Sequence, residues 1–178
     1  MAGNNVVALL NDGRGGFLPA RTVAAGQEPS AIAAGDLDGD GRQDLVATDQ
    51  GESAVIVLQN RGGGTFAVLA SYAVDERPGS ILIGDLNRDQ RLDVAVGSAF
   101  GGSVDVLRGQ GGGKLAPGKR LLVARGFFRG GRSIQGRLSM ATADLDGDGW
   151  LDLVTALDRS DLGLFHGDGD GTFRPLAV

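Results

Sequence analysis

Short apolar runs, separated by stretches rich in glycine or aspartate, recur along the chain. In the part between residues 28 and 76 they are SAIAAG (30–35), DLVATD (44–49), AVIVLQ (54–59) and TFAVLASYAV (65–74). Short runs that are rich in β-branched residues and bounded by turn formers predict β-strands rather than helices. The centre of the third run, VIVL, contains no polar position, which predicts an inner strand buried on both faces.

A second module occurs four times and predicts β-hairpins. Each copy has an apolar-rich run, a glycine-rich turn and then Phe or Leu. The copies are VVALLNDGRGGF (6–17), VIVLQNRGGGTF (55–66), VDVLRGQGGGKL (104–115) and LGLFHGDGDGTF (162–173).

Three aspartate-rich loops lie between these hairpins. They are contained in IAAGDLDGDGRQDLVATD (32–49), ILIGDLNRDQRLDVAVGS (81–98) and MATADLDGDGWLDLVTAL (140–157). Their first aspartates are 49 and 59 residues apart, and the ten additional residues precede the third loop. One repeat therefore contains four strands, with the acidic loop joining the first two and the glycine turn joining the last two. Tandem four-stranded antiparallel units of about 40–50 residues predict an all-β propeller.

The chain is long enough for about three and a half such blades. We expect a partial blade at 1–27 and full blades at 28–76, 77–125 and 126–178. Because propellers close with about 4–8 blades, a fragment of a larger propeller is the favoured interpretation. A homo-oligomer that closes the ring is the second, although both partial blades would supply strands three and four. An incomplete four-bladed ring is the third.

The loop pattern D-x-[DN]-x-D-[GQ]-x-x-D predicts a calcium site in each repeat. Side chains at positions 1, 3 and 5 of a tightly curled loop converge, position 7 offers its carbonyl, and the aspartate at position 9 closes the far side. With oxygen donors and no His or Cys expected nearby, such a cage suits Ca²⁺ better than Mg²⁺. The predicted side-chain ligands are Asp36, Asp38, Asp40 and Asp44; Asp85, Asn87, Asp89 and Asp93; and Asp144, Asp146, Asp148 and Asp152.

The residues on either side of the loops exclude an EF-hand or a dockerin-type pair. Position 12 of an EF-hand needs Glu, and these positions are Ala47, Val96 and Thr155. The sequence after each loop predicts a strand, and no amphipathic helix precedes it. We expect roughly one structural ion per loop, two to three in all.

The second loop is expected to bind calcium least tightly. It has Asn87 in place of a carboxylate and two nearby arginines, Arg88 and Arg91. It also has Gln90 where the other loops have glycine, which costs about 1–2 kcal/mol if that position is left-handed.

Composition restricts the remaining chemistry. Eleven of the 22 acidic residues lie in the three loops, so the net charge of −5 is mainly local. The absence of cysteine excludes disulfides and thiolate chemistry. The sequence contains no run of about 18 apolar residues that would predict a membrane span. The N-terminal residues do not resemble a signal peptide. His166 is the only histidine; it is expected on the surface at a turn, and no nucleophile elbow accompanies it, so we expect no enzyme.

The most unusual segment is the basic insertion at 114–137. It holds seven of the 17 basic residues, no acidic residue, and the adjacent pair Phe127 and Phe128. The favoured interpretation is a long hairpin with solvated charges. The alternative is an anion-binding edge for acidic glycans, phosphate or single-stranded nucleic acid.

The stretch GDLDGDGRQDLVA (35–47), with GGGTF (62–66) some twenty residues later, resembles the FG-GAP/VCBS repeat of integrin α-subunit propellers and many bacterial secreted proteins. The resemblance covers nearly the whole chain, although the FG element itself is represented only by Phe100 and Gly101. It implies a propeller with Ca²⁺ between strands one and two of each blade. The carbonyls implied to complete the cages are those of Arg42, Arg91 and Trp150.

The resemblance also implies a class of function, an extracellular, cell-surface or periplasmic module for adhesion or for binding a protein or glycan. A purely structural propeller domain, or a fragment of a larger secreted protein or enzyme, is one alternative, and a lectin with sugar sites between blades is another. Glycan or protein ligands are favoured over nucleic acid, and membrane insertion is not expected. Because many functions share this fold, the fold does not choose among them.

Overall fold

The computed structural model describes residues 4–98, 100–123, 138–157 and 161–176 as a series of short antiparallel strands. The strands are β1 (Asn5–Ala8), β2 (Arg21–Ala24), β3 (Pro29–Gly35), β4 (Asp44–Asp49), β5 (Ala54–Gly62), β6 (Thr65–Ala73), β7 (Ser80–Gly84), β8 (Asp93–Ser98), β9 (Ser103–Gly111), β10 (Lys114–Leu122), β11 (Leu138–Ala143), β12 (Asp152–Leu157), β13 (Asp161–Gly167) and β14 (Phe173–Pro175). Within these described ranges, no helix has the length and apolarity needed to cross a bilayer.

The strands form four separate antiparallel sheets. Strands β1 and β2 form a two-stranded sheet, the half-blade. Strands β3–β6, β7–β10 and β11–β14 form the first, second and third blades, and in each blade the strands pair in sequence order. The prediction of an all-β fold built from four-stranded propeller blades is confirmed.

The two kinds of connection also lie where the sequence places them. Each acidic loop joins the first strand of a blade to the second, and each glycine-rich turn joins the third strand to the fourth. The N-terminal hairpin is the last half of a blade, because its turn has the glycine-rich sequence of the β5–β6 turn. All three acidic loops consequently lie at equivalent positions in their blades.

The core lies between sheets rather than inside one. In β5, Val55 and Val57 pack against the second blade, whereas Ile56 and Leu58 pack against the half-blade. All four side chains are buried. This explains why the run VIVL has no polar position, since alternate side chains of a strand point to opposite faces and both faces here are covered.

The second blade repeats this arrangement. Val94 and Val96 of β8 face the first blade, while Ala95 between them faces the third. Leu153 and Phe165 supply the third blade's side of that interface. Successive sheets are therefore held together mainly by burial of apolar surface, worth about 25 cal/mol per Å².

We predict that truncation of Leu107 destabilises the protein far more than truncation of an exposed leucine on the same blade. Leu107 is 2% exposed between the first and second blades, whereas Leu122 is 61% exposed. Leu107→Ala should lower the free energy of unfolding by about 2–5 kcal/mol because it leaves a cavity. Leu122→Ala should change it by less than about 0.5 kcal/mol. Urea unfolding followed by circular dichroism measures both; equal losses would contradict the sheet-against-sheet core.

Candidate metal centre

Each acidic loop curls tightly because two of its residues adopt a left-handed backbone. In the first loop these residues are Gly39 (φ 80°) and Gly41 (φ 84°), and the third loop has glycine at both equivalent positions. The second loop has Arg88 (φ 58°) and Gln90 (φ 67°) there. Gln90 therefore does adopt the left-handed backbone on which its cost depended, and Arg88 adds a second strained position that costs about 1–2 kcal/mol.

In the first loop, the curl brings three carboxylates together. Asp36 accepts hydrogen bonds from the backbone amides of Gly39 (2.8 Å), Asp40 (3.1 Å) and Gly41 (2.9 Å), which hold it at the centre. Asp38 also accepts a bond from the Asp40 amide, at 3.1 Å. One carboxylate oxygen from each of Asp36, Asp38 and Asp40 lies within 4.8 Å of the other two.

This donor set fits calcium. Ligand oxygens lie about 2.3–2.6 Å from Ca²⁺, so two oxygens on opposite sides of one ion are separated by about 5 Å. The oxygens of the first loop lie within that span, and Asp40 is exposed while Asp36 and Asp38 are half-buried. The guanidinium of Arg42 contacts Asp40 and offsets part of the negative charge.

The aspartate at position 9 of each loop is fully buried at the start of the second strand. In the first blade, Asp44 accepts the amide of Leu37 (3.2 Å) through one oxygen and that of Asn60 (2.8 Å) through the other. The same pair of bonds occurs in the other two blades. Asp93 accepts the amides of Leu86 (3.0 Å) and Gly109 (2.8 Å), and Asp152 accepts those of Leu145 (2.9 Å) and Gly167 (2.9 Å). Position 9 thus ties its loop to the end of the third strand.

The three buried carboxylates differ in acidity. Burial raises the pKa of Asp44 and of Asp93, and the amide hydrogen bonds only partly oppose it. Burial also acts to raise the pKa of Asp152, but the two amides and the charge of His166 outweigh it, so that this pKa is lowered. The third loop is therefore electrostatically different from the other two.

The second loop is the poorest cluster of carboxylates. Its central Asp85 accepts the amides of Asp89 (3.0 Å) and Gln90 (2.8 Å), as in the first loop. Asn87 donates its side-chain amide to Asp89, at 3.2 Å. Among the residues that the structure describes, groups of three acidic or histidine side chains that are close enough to hold a metal ion (metal-like clusters) lie in the first and third loops, and none lies in the second.

His166 lies against the third loop, so the expectation of an oxygen-only environment is wrong for this repeat. Its side chain is 13% exposed, and Nδ1 lies 3.0 Å from Asp146 and 3.5 Å from Asp152. Nε2 lies 3.6 Å from Asp148. The expectation that His166 is a surface residue is also wrong. His166 is the second-last residue of β13, and its imidazole faces the third loop.

The first blade has Gln59 at the same place, one residue before the amide that position 9 accepts. Gln59 donates to Asp38 at 2.6 Å, and this bond is the largest cause of the lowered pKa of Asp38. Self-alignment of the hairpins places Gln59, Arg108 and His166 in one column. Sequence reasoning could have used this alignment to mark a position that faces the loop. Only the blade geometry shows that the side chains of Gln59 and His166 reach position 3 of their loops.

Trp150, at position 7 of the third loop, packs on protein rather than projecting into solvent. Its ring lies against Gly169, and the guanidinium carbon of Arg88 stands 5.0 Å from the ring centre. This cation–π contact joins the second and third loops. Arg88 is thus directed toward the neighbouring blade.

Only the first part of the basic insertion lies in the described ranges. There, Arg120 pairs with Asp105 (2.8 Å) and Asp75 (3.2 Å), so its charge is used within the blade. Residues 124–137 of the insertion, which include Phe127 and Phe128, lie outside the described residues.

A family model for the FG-GAP-like repeat matches the chain at residues 2–47, 36–96, 85–155 and 144–178. The chain belongs to the FG-GAP-like repeat family. Successive matches overlap in the three acidic loops, so these loops are the shared boundaries of the FG-GAP-like repeats. No curated protein sequence matches the chain.

Two solved structures resemble this FG-GAP-like chain. The first is a lectin of Agrocybe aegerita, described as specifically recognising non-reducing terminal N-acetylglucosamine. It has a TM-score of 0.61 and 25% identity, with 97% of this chain and 46% of that chain covered. The second is BBS1N in complex with ARL6DN, with a TM-score of 0.53 and 12% identity over 82% of this chain and 42% of that one. The chain spans a little under half the length of both.

We predict that Asp44→Asn destabilises the first blade even without metal. The amide side chain offers one oxygen for two backbone donors and leaves a buried N–H group unpaired, which costs about 1–3 kcal/mol. Asp12 is the matched control, because it accepts the amides of Arg14 (2.8 Å) and Gly16 (2.9 Å) on an exposed turn. Asp12→Asn should cost little, since water replaces the lost bonds. Urea unfolding in EDTA measures the difference; similar small losses would show that position 9 does not anchor the blade.

Proposed function

We propose that this chain is a calcium-stabilised propeller module that binds an extracellular ligand, with no catalytic role. The observation that carries the calcium part is the convergence of Asp36, Asp38 and Asp40 within 4.8 Å of one another. Three like charges at this separation repel, and a divalent cation relieves the repulsion. The family repeats favour a modular binding protein because the loops and turns that connect strands lie on the surface, where binding residues commonly occur.

The calcium acts structurally in this proposal. The carboxylates at positions 1, 3 and 5 belong to a loop whose end, Asp44, is locked into the blade. An ion that binds the folded loop but not the unfolded chain stabilises the blade by mass action. The first and third loops are the stronger sites because each brings three carboxylates within 4.8 Å of one another, and the second is the weakest because of Asn87 and its strained backbone.

The proposed ligand is a glycan on an extracellular or cell-surface molecule. Support comes from the lectin of Agrocybe aegerita, which this chain resembles over 97% of its length. A purely structural role in a larger secreted protein is the alternative, and it predicts no binding to any sugar. Function rests on a site rather than on a fold, so direct binding measurements must decide between them.

We predict that the first loop loses calcium binding more severely than the second when its central aspartate is removed. Native mass spectrometry of the calcium-loaded protein, with calcium titrations, counts the ions and ranks their affinities. Asp36→Ala should abolish one of the two tighter sites, whereas Asp85→Ala should remove the weakest.

The exposed aspartate Asp12 is the control for this experiment, because its turn lacks a carboxylate cluster in the described structure. Asp12→Ala should leave the number of ions unchanged. Equal losses from Asp36→Ala and Asp85→Ala would contradict the ranking, and a wild-type protein without bound calcium would contradict the calcium proposal itself.

We also predict that the calcium-loaded protein retains glycans that end in N-acetylglucosamine on a glycan array. EDTA should weaken this binding by lowering blade stability. Binding by Asp36→Ala should fall in parallel with its lost calcium, whereas Asp12→Ala should bind as wild type does. No binding to any glycan by folded, calcium-loaded protein would support the structural alternative.

A further inference from the structure

The third loop offers two overlapping groups of donors: the carboxylates of Asp144, Asp146 and Asp148, as in the first loop, and a second group that adds a nitrogen donor. Within the described residues, Asp146, Asp152 and His166 each place one ligand atom within 4.8 Å of the other two. The three side chains come from the loop, from the start of β12 and from the end of β13. Asp152 is fully buried and the His166 side chain is only 13% exposed, so blade packing holds two of the three donors in place.

We propose that Asp146, Asp152 and His166 form a site for a borderline divalent transition metal such as Zn²⁺, in preference to Ca²⁺. Calcium takes oxygen ligands, whereas imidazole suits Zn²⁺ and its neighbours in the transition series. This inference goes beyond the calcium proposal and does not depend on calcium at the first loop.

Two of the three separations between the donor atoms are close to those expected around such an ion. Ligand atoms about 2.1 Å from zinc lie about 3.0–3.4 Å apart at octahedral or tetrahedral angles. Nδ1 of His166 lies 3.0 Å from Oδ2 of Asp146 and 3.5 Å from Oδ1 of Asp152. The Asp152 oxygen accepts the Gly167 amide at 2.9 Å and keeps a second lone pair for a metal.

A hydrogen-bonding role alone accounts for this cluster less well. A neutral imidazole donates one hydrogen bond, yet carboxylates of Asp146, Asp148 and Asp152 lie within 3.6 Å of its two nitrogens. Even a protonated imidazole brings one positive charge to three negative ones. A divalent ion between His166, Asp146 and Asp152 brings two positive charges and therefore offsets more of the negative charge than a protonated imidazole does.

The first blade supplies a matched control from the same chain. Gln59 occupies the position of His166 and donates to Asp38 at 2.6 Å, as His166 contacts Asp146. His166→Gln should therefore preserve the contact between strand and loop while removing the nitrogen ligand. Gln59→His is the reciprocal change, and it should give the first loop an imidazole.

The test is isothermal titration calorimetry, in which Zn²⁺ is added to tag-free protein in the presence of excess Mg²⁺. Wild type should bind one Zn²⁺ tightly, and His166→Gln should weaken that binding at least about tenfold, since loss of even an outer-shell partner costs about 10–100-fold. Gln59→His should gain zinc affinity. Because His166 is the only histidine, its imidazole NMR signals should shift on zinc addition.

Unchanged zinc affinity in folded His166→Gln, or imidazole signals that do not respond to Zn²⁺, would overturn the proposal. A calcium titration of the same variant separates it from the calcium proposal. His166→Gln should leave the first-loop calcium site unchanged. Loss of the zinc proposal would therefore leave calcium binding intact, and absence of calcium binding would leave the zinc result intact. Thermal unfolding of both variants in EDTA verifies that they are folded.

Discussion

The buried aspartate at the end of each acidic loop is the constraint on which the blades depend. Asp44, Asp93 and Asp152 have almost no access to solvent, and each uses both carboxylate oxygens for backbone amides. One amide belongs to the loop and the other to the third strand, so a single side chain ties three segments of a blade together. Because an ionised group inside a protein needs such partners, loop and strand must form as one unit. The metal-like clusters of the first and third loops therefore adjoin a buried, hydrogen-bonded anchor of their blades.

The curled loop and its buried aspartate occur in all three blades, but the side chains around the loop differ from blade to blade. The first loop has carboxylates alone, with Gln59 at its side; the second has an amide at position 3; and the third has His166. All three differences lie on side chains that point into the loop, while the backbone curl and the buried aspartate are retained. A repeat can thus vary the donor atoms around its loop without changing its fold. The strain of the second loop, with Arg88 and Gln90 both left-handed, shows that the curl persists even where the residues oppose it.

Most of the fold could be predicted because it depends on local patterns. Strand β4 coincides with the predicted run DLVATD, and β5 begins with the predicted run AVIVLQ. The acidic loop lies between the first two strands of its blade, as the repeat alignment requires. The role of position 9 was only half visible. The spacing marks Asp44 as a member of the loop, but not that its two oxygens are occupied by Leu37 and Asn60. The second bond joins residues 16 positions apart, and no local pattern encodes a pairing at that distance.

The sequence by itself determined the repeat, the strands and the sets of loop carboxylates, because each depends on periodicity or spacing within a few residues. Tertiary structure alone decided what stands beside those carboxylates. Residues Asp146 and His166 lie 20 positions apart in the sequence, and they meet because β12 and β13 pair in one register. The Arg88–Trp150 contact likewise needs two neighbouring blades. The sequence alignment can place such side chains in one column, but only sheet pairing and blade packing show which of them reach the loop, and these contacts distinguish the third loop from the first.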